Sequence, residues 1–254
     1  METSTDPQAL LDLTGRRALV TGGAAGIGAA VSGHLVDAGA EVTVADNNPR
    51  GVDLVESLGA KFVLCDITVS AELTAAVDAA AGGKTLHVLV NNAGIFPTTG
   101  PLIDVGDEFV ARMLDVNIRA QFSATREAVR RMTEGGSIVN LASIAALRGG
   151  TGISAYSASK AGVIALTRAA AHEFGPAGIR VNAVAPGIIN TPGVQDQLDP
   201  LREAGVDVAE LIAANPQGVA GHPDHVARAV LFLVSDLAAF VNGHVLVVDG
   251  GATA

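Results

Sequence analysis

Tyr156 and Lys160 are the residues whose types and spacing most clearly suggest chemistry. They stand four residues apart in the run SAYSASK, which begins at Ser154, so on a helix their side chains share a face. A phenol loses its proton at about pH 10 in water, and a nearby ammonium group favours phenolate and lowers that pKa. The pair therefore predicts proton transfer by the only tyrosine of the chain. The alternative is an ordinary tyrosine beside a lysine that extends to solvent.

A glycine-rich loop near the start of the chain predicts a nucleotide site. Residues 21–28 read TGGAAGIG and lie between a short apolar run, residues 17–20, and a stretch with helical apolar spacing, residues 27–38. Glycines let the backbone turn tightly and approach a pyrophosphate, and the helix N-terminus offers free N–H groups. A plain turn is the alternative, because the spacing GxxxGxG differs from the GxGxxG fingerprint of dinucleotide sites.

Asp46 follows the second apolar run, residues 41–45. An acid at this strand end, about 20 residues beyond the glycine loop, can accept both ribose hydroxyls of an adenosine. The same carboxylate would repel a 2′-phosphate, so the position predicts NAD rather than NADP. The alternative is an aspartate that opens a turn, because Asn47, Asn48 and Pro49 follow it.

Apolar runs typical of strands alternate with stretches of helical periodicity along the chain. The strand-like runs are residues 17–20, 41–45, 61–65, 86–91, 137–141, 180–185 and 244–248. The helical stretches include residues 71–81, 107–132, 155–174 and 223–235. This alternation predicts an α/β fold with a single Rossmann-type, doubly wound domain, in which helices cover both faces of a seven-stranded parallel sheet. Ligands of such sheets bind past the carboxyl ends of the strands, where Gly22, Asp46, Asp66, Ser143 and Pro186 fall.

Composition and charge limit the class of protein. At 254 residues, with 49% hydrophobic and 17% charged residues, the chain can bury the core of one large domain. A net charge of -10 argues against nucleic-acid and anionic-membrane partners. No apolar run reaches membrane-spanning length and the first residues are polar and acidic, so a cytoplasmic enzyme is expected.

The cysteine and histidine content predicts neither a disulfide nor a metal site. Cys65 is the only cysteine and follows an apolar run, which indicates a buried, inert thiol. His222 and His225 are close in sequence, but no further ligands stand at zinc spacing. They are interpreted as residues at the start of a helix on the surface.

In order and spacing, these motifs resemble those of the short-chain dehydrogenases/reductases over nearly the whole chain. Residues 21–28 resemble the family's cofactor loop, residues 65–67 (CDI) its adenine contact, residues 91–94 (NNAG) its strand-end motif and residues 248–251 (VDGG) its C-terminal end. The resemblance implies a catalytic tetrad of Asn117, Ser143, Tyr156 and Lys160. Read singly, Ser143 could be a serine at a strand-end turn and Asn117 an amide inside a helix.

The resemblance also implies how these residues act. Tyr156 would exchange the hydroxyl proton, and Lys160 would lower its pKa and bind the nicotinamide ribose. Ser143 would hold the substrate oxygen, and Asn117 would anchor a water chain. The nicotinamide carboxamide would be held by the Ile189 backbone and the Thr191 hydroxyl. The implied cofactor-binding residues are Gly22, Gly26, Ile27, Gly28, Asp46, Cys65, Asp66, Ile67, Asn92, Ala93, Gly94, Tyr156, Lys160, Pro186, Gly187, Ile189 and Thr191.

Apolar residues are expected to surround the substrate. Those expected beside Ser143 are Ile95, Phe96, Ala145, Leu147, Ile153 and Ile188. They suit a ketone or secondary alcohol with a hydrocarbon body. Residues 191–221, which prolines and glycines interrupt, predict a lid over the substrate, and residues 1–13 an N-terminal extension. Arg148 is expected on the surface rather than at the mouth of the pocket.

The sequence thus predicts an NAD(H)-dependent dehydrogenase acting on small alcohols or ketones. An NADPH-linked 3-oxoacyl-[acyl-carrier-protein] reductase is one alternative, although the helix ends at residues 133–135 (TEG) and 174–177 (FGPA) contain no arginine for an acidic carrier. A catalytically silent NAD-binding scaffold is another, and the complete tetrad argues against it.

A homotetramer or homodimer is expected, because the family often assembles through two long helices, here residues 107–132 and 155–174. Small side chains on the second helix would permit close helix packing between copies. These are Ala161, Ala165, Ala169 and Ala170. The alternative is that they pack only against the sheet of their own chain.

Overall fold

The described part of the chain contains a sheet of seven parallel strands. The computed structural model describes residues 6–97, 99–203, 210, 212 and 215–254, with the backbone alone at 197 and 199–203. The strands in this part of the chain are β1 (Arg17–Thr21), β2 (Glu41–Asp46), β3 (Lys61–Leu64), β4 (Val88–Asn91), β5 (Gly136–Leu141), β6 (Ile179–Pro186) and β7 (Val245–Val248). The helices are α1 (Pro7–Leu11), α2 (Gly26–Asp37), α3 (Val52–Ser57), α4 (Ser70–Ala81), α5 (Asp107–Leu114), α6 (Ala120–Val129), α7 (Ala145–Arg148), α8 (Ser154–Phe174), α9 (Pro192–Glu203) and α10 (Pro223–Val234).

The strands form one sheet in the order β3-β2-β1-β4-β5-β6-β7. Every pairing is parallel, and Ala18 of β1 lies between Val42 of β2 and Val88 of β4. From β1 the chain adds strands toward β3, and from β4 it adds them toward β7. The loops after β1 and β4 therefore leave toward opposite faces of the sheet, and a crevice opens between them at the carboxyl ends of the strands. The predicted doubly wound, seven-stranded parallel sheet is confirmed.

Helices bury both faces of this sheet. Ala18 and Val20 of β1 belong to a core with α2 and α10, whereas Leu19 belongs to a core with α4, α6 and α8. Successive side chains of a strand point to opposite faces, so a sheet covered on both sides needs an unbroken apolar run. This explains why short apolar runs located the strands in the sequence.

The helix predicted over residues 107–132 is found from Asp107 to Val129, and it contains a π-helical turn at Asp115–Arg119 between α5 and α6 that the sequence did not predict. A π turn inserts one residue into a helix, and such turns often occur at functional sites. Apolar periodicity does not reveal one extra residue. The turn contains Asn117, whose side chain is fully buried.

Two predicted segments lie partly outside the described residues. The predicted lid, residues 191–221, begins with α9, and residues 204–209, 211, 213 and 214 are not among those described. The predicted N-terminal extension begins with residues 1–5, which also lie outside them. Both segments stay predictions.

The histidines near residue 222 cap a helix. His222 Nδ1 accepts a hydrogen bond from Asp224 N, and His225 Nδ1 accepts one from His222 N at the start of α10. This agrees with their interpretation as helix-start residues. In the described part of the chain, no cluster of His, Cys, Asp or Glu could hold a metal ion. No helix there combines the length and apolar character needed to cross a bilayer.

Candidate active site

A cleft of about 610 Å³ opens at the carboxyl ends of β1, β2 and β4. It is in the size range of small-molecule sites. Its lining contains twelve residues predicted to bind the cofactor: Gly22, Gly26, Ile27, Gly28, Asp46, Cys65, Asp66, Ile67, Asn92, Ala93, Gly94 and Thr191. The sequence did not single out further lining residues, which are Ala25, Ala45, Asn47, Thr68, Arg112, Asp115, Val116, Pro192 and Gly193.

The glycine loop is shaped to let a ligand approach the backbone. Gly22 has φ +63°, and a Cβ at Gly28 would overlap the carbonyl oxygen of Gly22 and lie 2.5 Å from Asn92 Nδ2. Asn92 Nδ2 donates to the carbonyls of Thr21 (3.0 Å) and Gly22 (2.8 Å), which fixes the loop. Helix α2 follows with no side-chain cap and no acidic residue in its first turn. Its free N–H groups line the cleft and suit an anion such as a pyrophosphate.

We expect Gly28→Ala and Gly33→Ala, both in α2, to change the melting temperature in opposite directions. The Gly28 change should cost about 1–3 kcal/mol, because the loop must move to admit a Cβ. At Gly33 a Cβ would lie 3.5 Å from Leu58 Cδ2, an ordinary contact, so alanine should stabilise the helix by about 0.4–1 kcal/mol. Thermal unfolding of the two variants is the measurement. Shifts of the same sign would contradict the tight approach at Gly28.

Two carboxylates are fixed on the β2 and β3 side of the cleft. Asp46 accepts hydrogen bonds from Ala24 N (3.1 Å) and Asn48 N (2.9 Å). Asp66 Oδ1 accepts from the backbone N (2.8 Å) and the hydroxyl (2.7 Å) of Thr68. Cys65 between them is buried, and burial with nearby carboxylates raises the pKa of its thiol to about 11. A buried thiol with a raised pKa stays protonated near neutral pH, which agrees with the interpretation of Cys65 as inert. The two carboxylates can accept hydrogen bonds from a ligand.

Ser143 and Tyr156 meet at the carboxyl end of β5. Ser143 follows that strand, and its Oγ accepts a hydrogen bond from Ala145 N (3.1 Å) at the start of α7. Tyr156 lies in the first turn of α8, and its phenol is close enough to the Ser143 side chain for the latter to oppose the rise of its pKa. The ring of Phe96 packs against it with centroids 4.4 Å apart. The fold thus joins a phenol and a hydroxyl beside an apolar side chain.

Lys160 lies behind the phenol, and its whole side chain is buried. Its Nζ donates to the carbonyl of Leu141 (2.7 Å) and lies 5.8 Å from the centroid of the Tyr156 ring. Burial lowers the pKa of Lys160 to about 8. The sequence predicted a lowered pKa for Tyr156, but burial raises that pKa, with partial relief from the Ser143 side chain. The expectation differs from the structure because desolvation outweighs an ammonium that is bonded to a carbonyl.

Asn117 joins the loop after β4 to α8. Its Oδ1 accepts from Ile95 N (2.8 Å), and its Nδ2 is within hydrogen-bonding distance of Ile95 O (2.9 Å) and Ser159 Oγ (3.1 Å). Ser159 Oγ in turn donates to the carbonyl of Tyr156 (2.7 Å). Asn117 therefore braces the tyrosine helix, and its part in a water chain stays a prediction. Ser159 was not predicted as a site residue, because its signal in the sequence is merely a small polar residue one turn after Tyr156.

Comparison with known proteins identifies the family. A family model described as enoyl-(acyl carrier protein) reductase matches residues 22–253. A cyclopentanol dehydrogenase from Comamonas sp. is 42% identical over 245 residues, which cover 93% of this chain and 96% of that protein. A cis-4-hydroxycyclohexanecarboxylate dehydrogenase from Sinomonas cyclohexanicum is 40% identical over 247 residues, with 94% and 97% covered. A short-chain type dehydrogenase/reductase from Mycobacterium ulcerans superposes with a TM-score of 0.89 at 34% identity, covering 95% of this chain and 90% of its own.

The chain belongs to the short-chain dehydrogenase/reductase family. The resemblance seen in the sequence motifs is thereby confirmed. As an oxidoreductase of this family, the protein uses a nicotinamide cofactor. The uncapped helix N-terminus and the fixed carboxylates of the cleft fit the pyrophosphate and the hydroxyl groups of such a dinucleotide.

The segment after β6 brings Thr191 to the glycine loop of this dehydrogenase/reductase fold. Ile188 and Asn190 pair with Gly221, so the backbone polar groups of Ile189 point the other way, as alternate residues of a strand do. A Cβ at Gly26 would lie 3.2 Å from Thr191 Cγ2. Pro186, Gly187 and Ile189 do not line the 610 Å³ cleft, and their contact with a nicotinamide stays a prediction.

The residues predicted to face the substrate differ in exposure. Ile95 lines the cleft and Phe96 packs on Tyr156. Ala145 is buried, Ile153 and Ile188 are partly exposed, and Leu147 is about half-exposed on α7. Phe96 contacts Tyr156, and the Ala145 N–H contacts Ser143, while contact of all six residues with a substrate of this short-chain dehydrogenase/reductase stays a prediction.

Proposed function

We propose that this protein is an NAD(H)-dependent dehydrogenase that interconverts a secondary alcohol and a ketone with a largely apolar body. The observation that carries the proposal is the Tyr156 phenol beside Ser143, with the Nζ of buried Lys160 5.8 Å from the centroid of its ring. This group stands at the same sheet edge as the cleft that contains Asp46. Bound in that cleft, the nicotinamide cofactor would accept or donate the hydride.

The residues of the cleft would each hold one part of the dinucleotide. The glycine loop and the N-terminus of α2 would bind the pyrophosphate, and Asp46 the adenosine ribose. Cys65, Asp66 and Ile67 would lie at the adenine. Thr191 and the Ile189 backbone would hold the carboxamide, with Asn92, Ala93, Gly94, Pro186 and Gly187 alongside.

The proton would move through the side chains of this chain. During oxidation Tyr156 would take the hydroxyl proton, and during reduction it would return that proton to the ketone oxygen. Ser143 would donate a hydrogen bond to the oxygen as negative charge develops on it. With a pKa of about 8, Lys160 is mostly charged at neutral pH. Its positive charge would oppose the effect of burial on the phenol.

We propose a ring-borne secondary alcohol as the substrate class. Phe96 packs on Tyr156, and the other side chains predicted beside Ser143 are apolar. Two relatives are named for alcohols on five- and six-membered carbon rings. The test is a panel of cyclopentanol, cyclohexanol, linear secondary alcohols and primary alcohols with NAD⁺, followed by NADH formation. Ring secondary alcohols should give the highest kcat/KM. The proposal would be contradicted if the protein oxidised none of these alcohols with NAD⁺ and reduced none of their ketones with NADH.

A 3-oxoacyl-[acyl-carrier-protein] reductase is the second candidate, favoured by a relative of that name from Rickettsia felis that is 35% identical over 250 residues. An acidic carrier needs a free basic patch. Three arginines near the end of α6 do not supply one, because Glu127 and Asp78 pair with Arg126, Arg130 and Arg131. Faster reduction of a 3-oxoacyl thioester with NADPH than of any ring ketone with NADH would favour this candidate. Tight NADH binding with no turnover would favour a silent scaffold.

We also propose that copies of the chain associate through α5, α6 and α8. An apolar pocket of about 410 Å³ lies on α5 and α6, and Phe122 at its wall is 54% exposed. On α8, Ala161, Ala165 and Ala169 are exposed, whereas Ala170 packs in the chain's own core. Small exposed side chains beside an apolar pocket allow two helices to approach closely.

Light scattering at micromolar concentration should therefore give a homotetramer or homodimer. Phe122→Asp should shift the protein to a smaller species, because it places a charge in the proposed interface. Leu54→Asp, on 45% exposed Leu54 of α3, is the matched control and should leave the mass unchanged. A monomeric wild type would contradict the assembly.

A further inference from the structure

The segment after β7, residues 249–254, forms a self-supported turn, here called the post-β7 turn. Asp249 Oδ1 accepts a hydrogen bond from Gly251 N (2.9 Å), and its Oδ2 accepts from Thr253 N (2.9 Å) and Thr253 Oγ1 (2.8 Å). Gly250 and Gly251 both have positive φ, +66° and +87°, a conformation that glycine adopts without strain. One carboxylate thus holds three donors of a tight turn, which keeps the turn in one shape.

The post-β7 turn contacts two segments of the site, one on each side. On one side, Gly187 N donates to Val248 O (2.9 Å), and a Cβ at Gly187 would lie 2.9 Å from Asp249 Cα. Gly187 belongs to the segment that follows β6 and leads to Thr191. Contact this close means that the turn and that segment cannot shift independently.

On its other side the turn supports the chain where it returns from the predicted lid. A Cβ at Gly250 would lie 2.7 Å from Asn215 Oδ1, and one at Gly251 would lie 3.1 Å from Pro216 Cγ. Asn215 Nδ2 also donates to Val219 O (2.9 Å), which keeps the return compact. The turn therefore sets where this return segment, residues 215–221, lies relative to β6.

Arg148 ties the same turn to the helix that fixes Ser143. Its Nη1 donates to the carbonyl of Ala252 (2.7 Å), although the two residues are 104 positions apart in sequence. Arg148 ends α7, the four-residue helix whose first residue, Ala145, donates its N–H to Ser143 Oγ. The arginine expected only to lie on the surface thus connects the post-β7 turn to the hydroxyl of the proposed active site.

We propose that the post-β7 turn is a clasp on the substrate side of the site, with Arg148 and Asp249 as positioning residues. The clasp joins α7, the segment after β6 and the return segment, and so determines how well the substrate oxygen is presented to Ser143. Neither Arg148 nor Asp249 lines the cofactor cleft, and the bond from Arg148 leads through α7 to Ser143, so the clasp affects substrate affinity more than cofactor affinity. The inference rests on the proposed dehydrogenase function.

Steady-state kinetics of Arg148→Ala and Asp249→Ala test the clasp. KM for the best ring alcohol should rise about 3- to 10-fold, the usual effect of losing one hydrogen bond, with a smaller change in kcat. The dissociation constant of NADH should rise less than KM, because only the segment after β6 links the clasp to the predicted nicotinamide contacts. Arg148→Lys should recover part of the loss, because an ammonium can still donate to the Ala252 carbonyl. Arg16→Ala is the control, since Arg16 is exposed immediately before β1, at the amino ends of the strands and away from the site.

Hydrogen exchange supplies a readout that does not depend on turnover. Amides in residues 144–149 and 215–221 should exchange faster in Arg148→Ala and in Asp249→Ala than in wild type, and should be unchanged in Arg16→Ala. Faster exchange of both segments supports the clasp, and unchanged exchange overturns it. Unchanged KM, or an equal rise in KM and in the NADH dissociation constant, also overturns it. A wild type that turns over no alcohol would refute the proposed function, while the exchange result would still decide whether the turn holds the two segments.

Discussion

Tyr156→Phe should lower turnover at least about 100-fold, the usual scale of general acid–base catalysis, while the protein keeps its fold. Phenylalanine preserves the ring that packs on Phe96, with centroids 4.4 Å apart in the wild type. It removes the hydroxyl that lies beside Ser143 and that would carry the proton. The measurement is kcat on a substrate for which the chemical step limits turnover, together with NADH affinity, which should survive.

The matched control for this variant is Ser157→Ala. It removes a hydroxyl one residue further along α8, and that hydroxyl is buried with no hydrogen-bond partner among the described residues. Its turnover should stay near that of the wild type. If Tyr156→Phe also keeps near-full turnover, the proposed mechanism is wrong.

The sole tyrosine allows a direct check on the same proton. The chain has no tryptophan, so the ultraviolet titration of the phenol reports Tyr156 alone. Without cofactor, we expect a pKa above the ordinary value for tyrosine, because burial disfavours phenolate. With NAD⁺ bound, the positive nicotinamide should lower that pKa. A phenol that ionises at the same pH with and without NAD⁺ would contradict this part of the mechanism.

Wild-type protein should prefer NAD over NADP by at least about 30-fold in kcat/KM, equivalent to about 2 kcal/mol. Asp46 is held by the N–H groups of Ala24 and Asn48 and cannot easily turn away from a 2′-phosphate. Arg50, the nearby cation that could neutralise such a phosphate, is exposed and does not line the cleft. The repulsion between Asp46 and the 2′-phosphate of NADP and the loss of the hydrogen bond to the ribose hydroxyl should therefore both weaken NADP binding.

Asp46→Ala should relax this preference, and Asn47→Ala is its matched control. Asn47 also lines the cleft but carries no charge, so its truncation should leave the ratio of the two kcat/KM values unchanged. The measurement uses both cofactors with one alcohol. Equal use of NADP by the wild type would refute the ribose assignment.

The sequence by itself determined the strands, the loops and the family. All seven predicted strands are found with ends within two residues of those expected, because a sheet buried on both faces requires apolar runs that local composition reveals. Gly22 and Gly28 were identifiable because tight turns and close backbone approaches exclude a Cβ. Tyr156 and Lys160 share a face of α8 by helical periodicity alone.

The contacts that hold the site residues in place, and the pKa values of Tyr156 and Lys160, depend on the tertiary structure. The π turn at Asn117, the Ser159 brace and the Arg148–Ala252 bond depend on contacts between segments far apart in sequence, which no local pattern encodes. The raised pKa of Tyr156 and the lowered pKa of Lys160 have the same origin. Spacing placed an ammonium beside a phenol, but the packing of β5 and α8 buried both groups and bonded the ammonium to the Leu141 carbonyl. Desolvation depends on everything packed around a group, so it is a property of the fold and not of the sequence motif.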